Sequence, residues 1–193
     1  MEKLNGKKVN TAVFISGRGS NLKSLIKSSK KKNSFFKIKL VISDNSNADG
    51  LKYAKISNIK TNIINYKNKN ISEKKLLRKL SNHQINLICL AGFMKILSKN
   101  FIQKFKKPIL NIHPSLLPKY KGLNTHKRVI DNKEKYSGST VHIVNSKLDS
   151  GRIILQERIK ISKFENEKTL EKKILKIEHK LYSKAIKKFL FNL

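Results

Sequence analysis

An amide and an imidazole two residues apart, Asn111 and His113, stand in the run Ile109-Leu-Asn-Ile-His-Pro-Ser-Leu-Leu-Pro118. The residues around them are apolar enough for a buried strand, and on a strand successive side chains alternate faces, so Asn111 and His113 point the same way. Pro114 removes a ladder donor and pushes His113 towards extended backbone angles, which ends the strand and leaves the imidazole at its carboxyl end. Open α/β sheets bind ligands at that end. A hydrogen-bond donor and a proton carrier are therefore offered together to whatever lies there.

Three other segments carry chemistry only by position. Ile15-Ser-Gly-Arg-Gly-Ser-Asn-Leu22 joins an apolar run to a helix, and the free amide groups at a helix start can cradle an anion. After Gly19 the sequence runs Ser20, Asn21, Leu22 without the third glycine of a dinucleotide fingerprint, so a single phosphomonoester fits better. Arg18 on this turn either adds charge to the cradle or is simply solvated. In Ala91-Gly-Phe-Met-Lys-Ile-Leu97, Gly92 permits a close turn. Phe93, Met94, Ile96 and Leu97 are then either an apolar wall for a flat ring or core residues around that turn. Asp149, in Leu148-Asp-Ser-Gly151, is by default a turn former. Glu178, in Lys176-Ile-Glu-His-Lys180, is by default a solvated helix carboxylate.

The elements that must position these residues follow from periodicity. Strands are predicted at Val9 to Ser16, Phe36 to Ser43, Thr61 to Asn65, Asn86 to Leu90 and Ile109 to His113. Helices alternate with them: Ser20 caps one to about Ser29, then Asp49 to Ile56, one capped by Ser72 and ending near His83, and Ser98 to Phe105. That alternation predicts a parallel sheet covered by helices. After Pro118 the rhythm changes to a loop, a helix near Thr125 to Asp131, and two consecutive strands, Ser137 to Val144 and Ile153 to Ile161, whose short connection implies antiparallel pairing. A last helix, Glu167 to Leu190, carries Leu170, Ile174, Ile177, Leu181, Ala185 and Phe189 on one stripe, a core face rather than a membrane surface.

At 193 residues and 38% hydrophobic content the chain suits one domain with a substantial core. Its one cysteine, Cys89, lies in an apolar run and reads as a small buried hydrophobe in a reducing compartment. Met1 to Lys8 contains no apolar stretch of signal-peptide length, and no window approaches a membrane span. A soluble cytoplasmic protein without membrane contact is expected. The formal charge of +32 invites a nucleic-acid reading. The lysines are scattered over every predicted helix and loop with few aromatics between them, and asparagine and isoleucine are abundant too, so coding bias explains the charge and no specific nucleic-acid partner is expected.

Taken together and in this order, the Gly19-Ser20-Asn21 turn, the Ala91 to Leu97 segment, Asn111-x-His113-Pro114 and the Asp149 turn resemble the phosphoribosylglycinamide formyltransferases, folate-dependent enzymes of purine synthesis. The resemblance runs from about Val9 to Leu190. It implies an α/β fold of a single domain over 1–193: a Rossmann-like, mainly parallel sheet with helices on both faces and antiparallel strands in its C-terminal part. The phosphate-binding half would be about 1–100, the folate and catalytic half about 88–193. By the same resemblance Asn111, His113 and Asp149 are catalytic, and Gly19, Ser20, Asn21 and Glu178 hold glycinamide ribonucleotide. Phe93, Met94, Lys95, Ile96 and Leu97 line the folate pocket, together with Val144, Asn145, Ser146, Lys147 and Leu148, Asn111 and Asp149. Lys95 stands where an arginine is common, and the family arginine that meets the folate tail aligns with Lys69 to Glu73, where there is none. His83, His126, His142 and His179 receive no chemistry.

The implied reaction is acyl transfer: the amine of glycinamide ribonucleotide attacks the formyl carbon of 10-formyltetrahydrofolate, the co-substrate, with no metal. Asn111 and protonated His113 would donate to the tetrahedral oxyanion. Small-molecule substrates and a monomer or homodimer are implied. Methionyl-tRNA formyltransferases share the donor and the Asn-x-His-Pro plus Asp arrangement, but carry a C-terminal tRNA-binding domain for which 193 residues leave no room. A formyltetrahydrofolate hydrolase, also conceivable, would usually be expected to bring an N-terminal regulatory domain as well. A basic nucleic-acid-binding module is the non-enzyme alternative.

Overall fold

The computed structural model describes residues 8–191. Its elements are β1 (Val9–Ile15), α1 (Ser20–Ser29), β2 (Phe36–Ser43), α2 (Gly50–Ile56), β3 (Lys60–Ile63), α3 (Lys69–Asn82) and β4 (Leu87–Leu90). They continue with α4 (Lys99–Phe105), β5 (Ile109–His113), α5 (Thr125–Asp131), β6 (Tyr136–Ile143), β7 (Ile153–Lys160) and α6 (Glu167–Phe191). Seven strands form one sheet in the order β3-β2-β1-β4-β5-β6-β7. The first five pair in parallel and β6 and β7 run antiparallel.

The period of two along β1 builds both sides of the core. Val13 and Ile15 face one layer, where Leu22 and Leu25 of α1 meet Leu181, Tyr182 and Ile186 of α6. Ala12 and Phe14 face the other, where Leu76 and Leu80 of α3 meet Phe101 and Phe105 of α4. A strand buried on both faces reads as a continuous apolar run. Each such large side chain withdrawn from water contributes about 1.5–3 kcal/mol before entropy is subtracted. Cys89 is buried in the first layer and burial pushes its thiol up to about 12, so it is chemically quiet. Along α6 the predicted stripe is buried at Leu170, Ile174, Leu181, Ala185 and Phe189, and Ile177 is half-buried.

Strand order decides where the site lies. From β1 the chain steps to β2 and β3 on one side, then returns to place β4 and β5 on the other. Connections leaving in opposite directions open a crevice at the carboxyl ends of β1 and β4.

Two helix starts differ from expectation. α3 begins at Lys69, capped by the Asn68 side chain accepting from Ile71 N at 3.2 Å, while Ser72 lies inside the helix and donates to Asn68 O at 2.7 Å. Asparagine caps as well as serine does, and a serine one turn in bonds back to the carbonyl four residues earlier. Ser20 is the first residue of α1 rather than its cap; the cap position is Gly19, which supplies no side-chain acceptor. The α1 amide groups are thus left for something else.

Candidate active site

β5 delivers Asn111 and His113 to the crevice, and the turn after β6 brings Asp149 to them. His113 Nδ1 lies 3.3 Å from Asp149 Oδ2, and its Nε2 lies 2.8 Å from the Tyr120 carbonyl oxygen. Asn111 Nδ2 donates to Asp149 Oδ1 at 3.3 Å. The Gly122 N–H donates to Asp149 Oδ2 at 2.9 Å, which ties the loop after Pro118 to the same carboxylate. Asp149 takes a left-handed backbone conformation, φ 44°, and Gly151 follows it so closely against Ile143 that a Cβ would sit 1.7 Å from the Ile143 oxygen. Strain of this kind persists only where the surroundings over-determine it.

The charges in this cluster are set by opposing effects. Burial holds the His113 pKa below the ordinary histidine value; the Tyr120 carbonyl and Asp149 pull it back up without winning. The lowered value favours the neutral ring in the free site, and both ring nitrogens face acceptors when a proton arrives. Burial by itself would raise the Asp149 carboxyl, but hydrogen bonds from His142 and the Gly122 N–H, with the nearby His113, outweigh it and leave the group below its usual range.

At the other end of the cavity lies the turn Gly17 to Asn21. Gly19 has φ +70°, and a Cβ there would sit 2.3 Å from Gly50 Cα, so only glycine fits. Glu178 is buried; Asn21 Nδ2 donates to its Oε2 at 2.7 Å and Ser139 Oγ to its Oε1 at 3.2 Å. Burial raises its pKa above that of an ordinary glutamate. The default of a solvated helix carboxylate fails here, since α6 packs across the sheet and turns this residue inward. Arg18 pairs with Glu171 of α6 across the turn.

The whole segment after β4, Phe93 to Leu97, lines the cavity, with two of its side chains also anchored in the core. Phe93 packs edge-to-face on Phe14 and Tyr66, and Leu97 is buried. Met94 and Ile96 are 63% and 64% exposed, as are Leu123 and Leu148 at 73% and 52%, and all four line the cavity. Large apolar side chains left bare around one opening mark a surface that a ligand covers. Ser16 joins this wall to the anion turn: its Oγ donates to Asp44 Oδ1 at 2.5 Å and accepts from Met94 N at 2.8 Å. Lys95 Nζ lies 3.6 Å from Asp44 Oδ2. The Val144 to Leu148 loop closes the same wall. The whole cavity measures about 660 Å³, within the range of small-molecule sites.

Sequence reasoning missed His142 and His126. His142 is buried, pairs with Asn111 across β5 and β6, and places Nε2 3.2 Å from Asn111 Nδ2 and 3.4 Å from Asp149 Oδ1. Its signal was an imidazole in the strand that follows the Asn111 to His113 strand, but strand register is not legible locally. His126 lines the cavity with a buried Nδ1 lacking a partner. Glu73, in the stretch aligned with the folate-tail arginine, is buried and accepts from Ser98 N at 2.8 Å and from the Ser98 hydroxyl, fastening α3 to α4 away from the cavity. Among the described residues no group of three His, Cys, Asp or Glu side chains is placed to hold a metal ion, and no helix is long and apolar enough to cross a membrane.

The formyl transferase family profile matches residues 9–186. Phosphoribosylglycinamide formyltransferase of Haemophilus influenzae is 39% identical over 92% of this chain and 85% of its own length. The crystal structure of phosphoribosylglycinamide formyltransferase from Brucella melitensis superposes with a TM-score of 0.91 at 38% identity, covering 95% of this chain and 96% of that one. The trifunctional purine biosynthetic protein adenosine-3 of Gallus gallus is 41% identical over 95% of this chain, which spans 19% of that protein's length.

Proposed function

The chain belongs to the formyl transferase family, in its phosphoribosylglycinamide formyltransferase branch, and on that premise we propose that it moves the formyl group of 10-formyltetrahydrofolate to the amine of glycinamide ribonucleotide. The observation that carries this reading is one carboxylate, Asp149, holding Asn111 and His113 in the same cavity as an uncapped helix start. The whole chain, 1–193, acts as one domain, with a phosphate-binding half of about 1–100 and a folate and catalytic half of about 88–193. The exposed Met94, Ile96, Leu123 and Leu148 fit a flat ring, which supports the segments at 93–97 and 144–148 as the folate wall.

Asn111 donates its amide hydrogens to the formyl oxygen as negative charge gathers there. Protonated in the transition state, His113 gives up its contact with the Tyr120 carbonyl and donates that N–H to the same oxygen, while a proton passes from the attacking amine to the departing folate nitrogen. Asp149 keeps the ring oriented and favours its protonated form. Gly19, Ser20 and Asn21 present the α1 amide groups to the phosphate, and Glu178 accepts from ribose hydroxyls. The setting is cytoplasmic, with small molecules as the partners. Incubation of the purified chain with both substrates and no added metal is expected to release tetrahydrofolate. Absence of product with glycinamide ribonucleotide, or turnover only on methionyl-tRNA, would overturn the assignment.

A further inference from the structure

Arg18 and Glu171 sit on opposite walls of the phosphate end, and nothing in the reaction above uses them. The chain carries 44 lysines and arginines, yet among the described residues only Arg18, Lys95 and Lys147 line the cavity. Lys95 faces Asp44 on the folate wall and Lys147 lies in the loop after β6. Among the described residues Arg18 is thus the one cation of the anion turn that lines the cavity. Its guanidinium is engaged by Glu171. Of the turn's two other polar side chains, Ser20 and Asn21, the Asn21 amide is engaged as well, donating to Glu178. Leu175, which also lines the cavity one turn along α6 from Glu171, offers no polar contact.

We propose that Arg18 is a ligand for the substrate phosphate, and that Glu171 is a built-in competitor that holds the guanidinium across the entrance until a phosphate takes it. This rests on reading the Gly17 to Asn21 turn as the phosphate site. A guanidinium fork matches two phosphate oxygens as well as it matches a carboxylate, and a dianion holds it more strongly than a monoanion does. Arg18 is 76% exposed and Glu171 34%, and an ion pair at such exposure is weakly held, so exchange is easy. The competitor also tunes selectivity: an uncharged ribose cannot release Arg18, so the entrance favours phosphorylated over dephosphorylated sugars.

Titration calorimetry with ribose 5-phosphate, which needs no turnover, tests this on the wild type, Arg18→Gln, Glu171→Gln and the double variant. Both positions are exposed enough for the fold to survive. Arg18→Gln is expected to weaken binding about tenfold, the worth of an exposed charge-assisted contact. Glu171→Gln is expected to tighten it about two- to fivefold, the worth of a surface ion pair no longer broken. In the Arg18→Gln background the Glu171→Gln change should do nothing, because no guanidinium is left to release. Equal tightening in both backgrounds would mean simple repulsion between Glu171 and phosphate and would overturn the proposal, as would unchanged binding in Arg18→Gln or no binding to the wild type. A wild type that binds ribose 5-phosphate with this pattern but formylates nothing would sink the activity and leave the competitor standing; normal turnover without the pattern would do the reverse.

Discussion

Four groups converge on the Asp149 carboxylate: His113 and the Gly122 N–H at one oxygen, Asn111 and His142 at the other. Removing any one leaves the others mispaired, so their effects on rate should not add. Asn111→Ala is expected to lower kcat by about 10²–10³, the usual cost of one oxyanion donor, with the melting temperature nearly unchanged. His113→Ala and Asp149→Asn should each cripple kcat while leaving the affinity for a folate analogue nearly intact, and the double variant should lose little more than the worse single, as kinetics of all three variants would show. The charge argument has its own readout. Burial depresses the His113 pKa and Asp149 opposes that depression, so the ring should titrate below the ordinary histidine value of about 6.5 in nitrogen-resolved NMR. In Asp149→Asn the midpoint should move lower still. A midpoint that rises in that variant would show that Asp149 does not favour the protonated ring.

At the scale of elements, the site is a junction of segments that follow β1, β4, β5 and β6, and some contacts serve only to keep those segments in step. Asp44 at the end of β2 is one. It accepts from Ser16, whose hydroxyl in turn accepts from Met94 N, so the anion turn and the apolar wall share one strut. Asp44→Asn keeps the volume but weakens both the Ser16 contact and the Lys95 attraction. Its expected signature is a raised KM for the formyl donor, a smaller rise in KM for glycinamide ribonucleotide through the shared strut, and kcat little changed, measured by varying each substrate in turn. A loss confined to kcat would place Asp44 in the chemistry instead.

The molecule as a whole is strained by its own charge. A net +32 repels itself, and charges farther apart than about 10 Å are screened at 0.1 M salt. Scattered lysines should bind fluorescent oligonucleotides only weakly, with dissociation constants of about 10⁻⁴–10⁻⁶ M that worsen steeply as salt is added. Tight sequence-selective binding at physiological salt would reveal a selected basic surface. Acid should destabilise the fold in a definite window. His113, His126 and His179 all have pKa values lowered by burial, so the unfolded chain binds more protons than the folded one below about pH 6.5. Their contribution is complete above that value and is lost as pH falls through the lower folded values. The melting temperature at pH 5 should therefore lie below that at pH 7.5 at matched ionic strength. A flat profile would show that the three rings are not held neutral by the fold.

Much of this was legible in the amino-acid order because it depends on neighbours a few positions away. Asn111 and His113 share a face because strands alternate, Pro114 ends the strand by its missing N–H, and the stripe on the last helix follows from 3.6 residues per turn. The resemblance to known formyltransferases then pointed to Asp149, which its own surroundings describe only as a turn. Which segments meet was another matter. The Asn21 bond to Glu178 spans 157 residues and the Arg18 pair with Glu171 spans 153. Whether Glu73 faces a ligand or another helix, whether His142 stands behind Asn111, and whether His113 is charged all depend on strand order, register and burial. Those are set by which apolar surfaces cover one another once the sheet is assembled, and no window of sequence contains both partners.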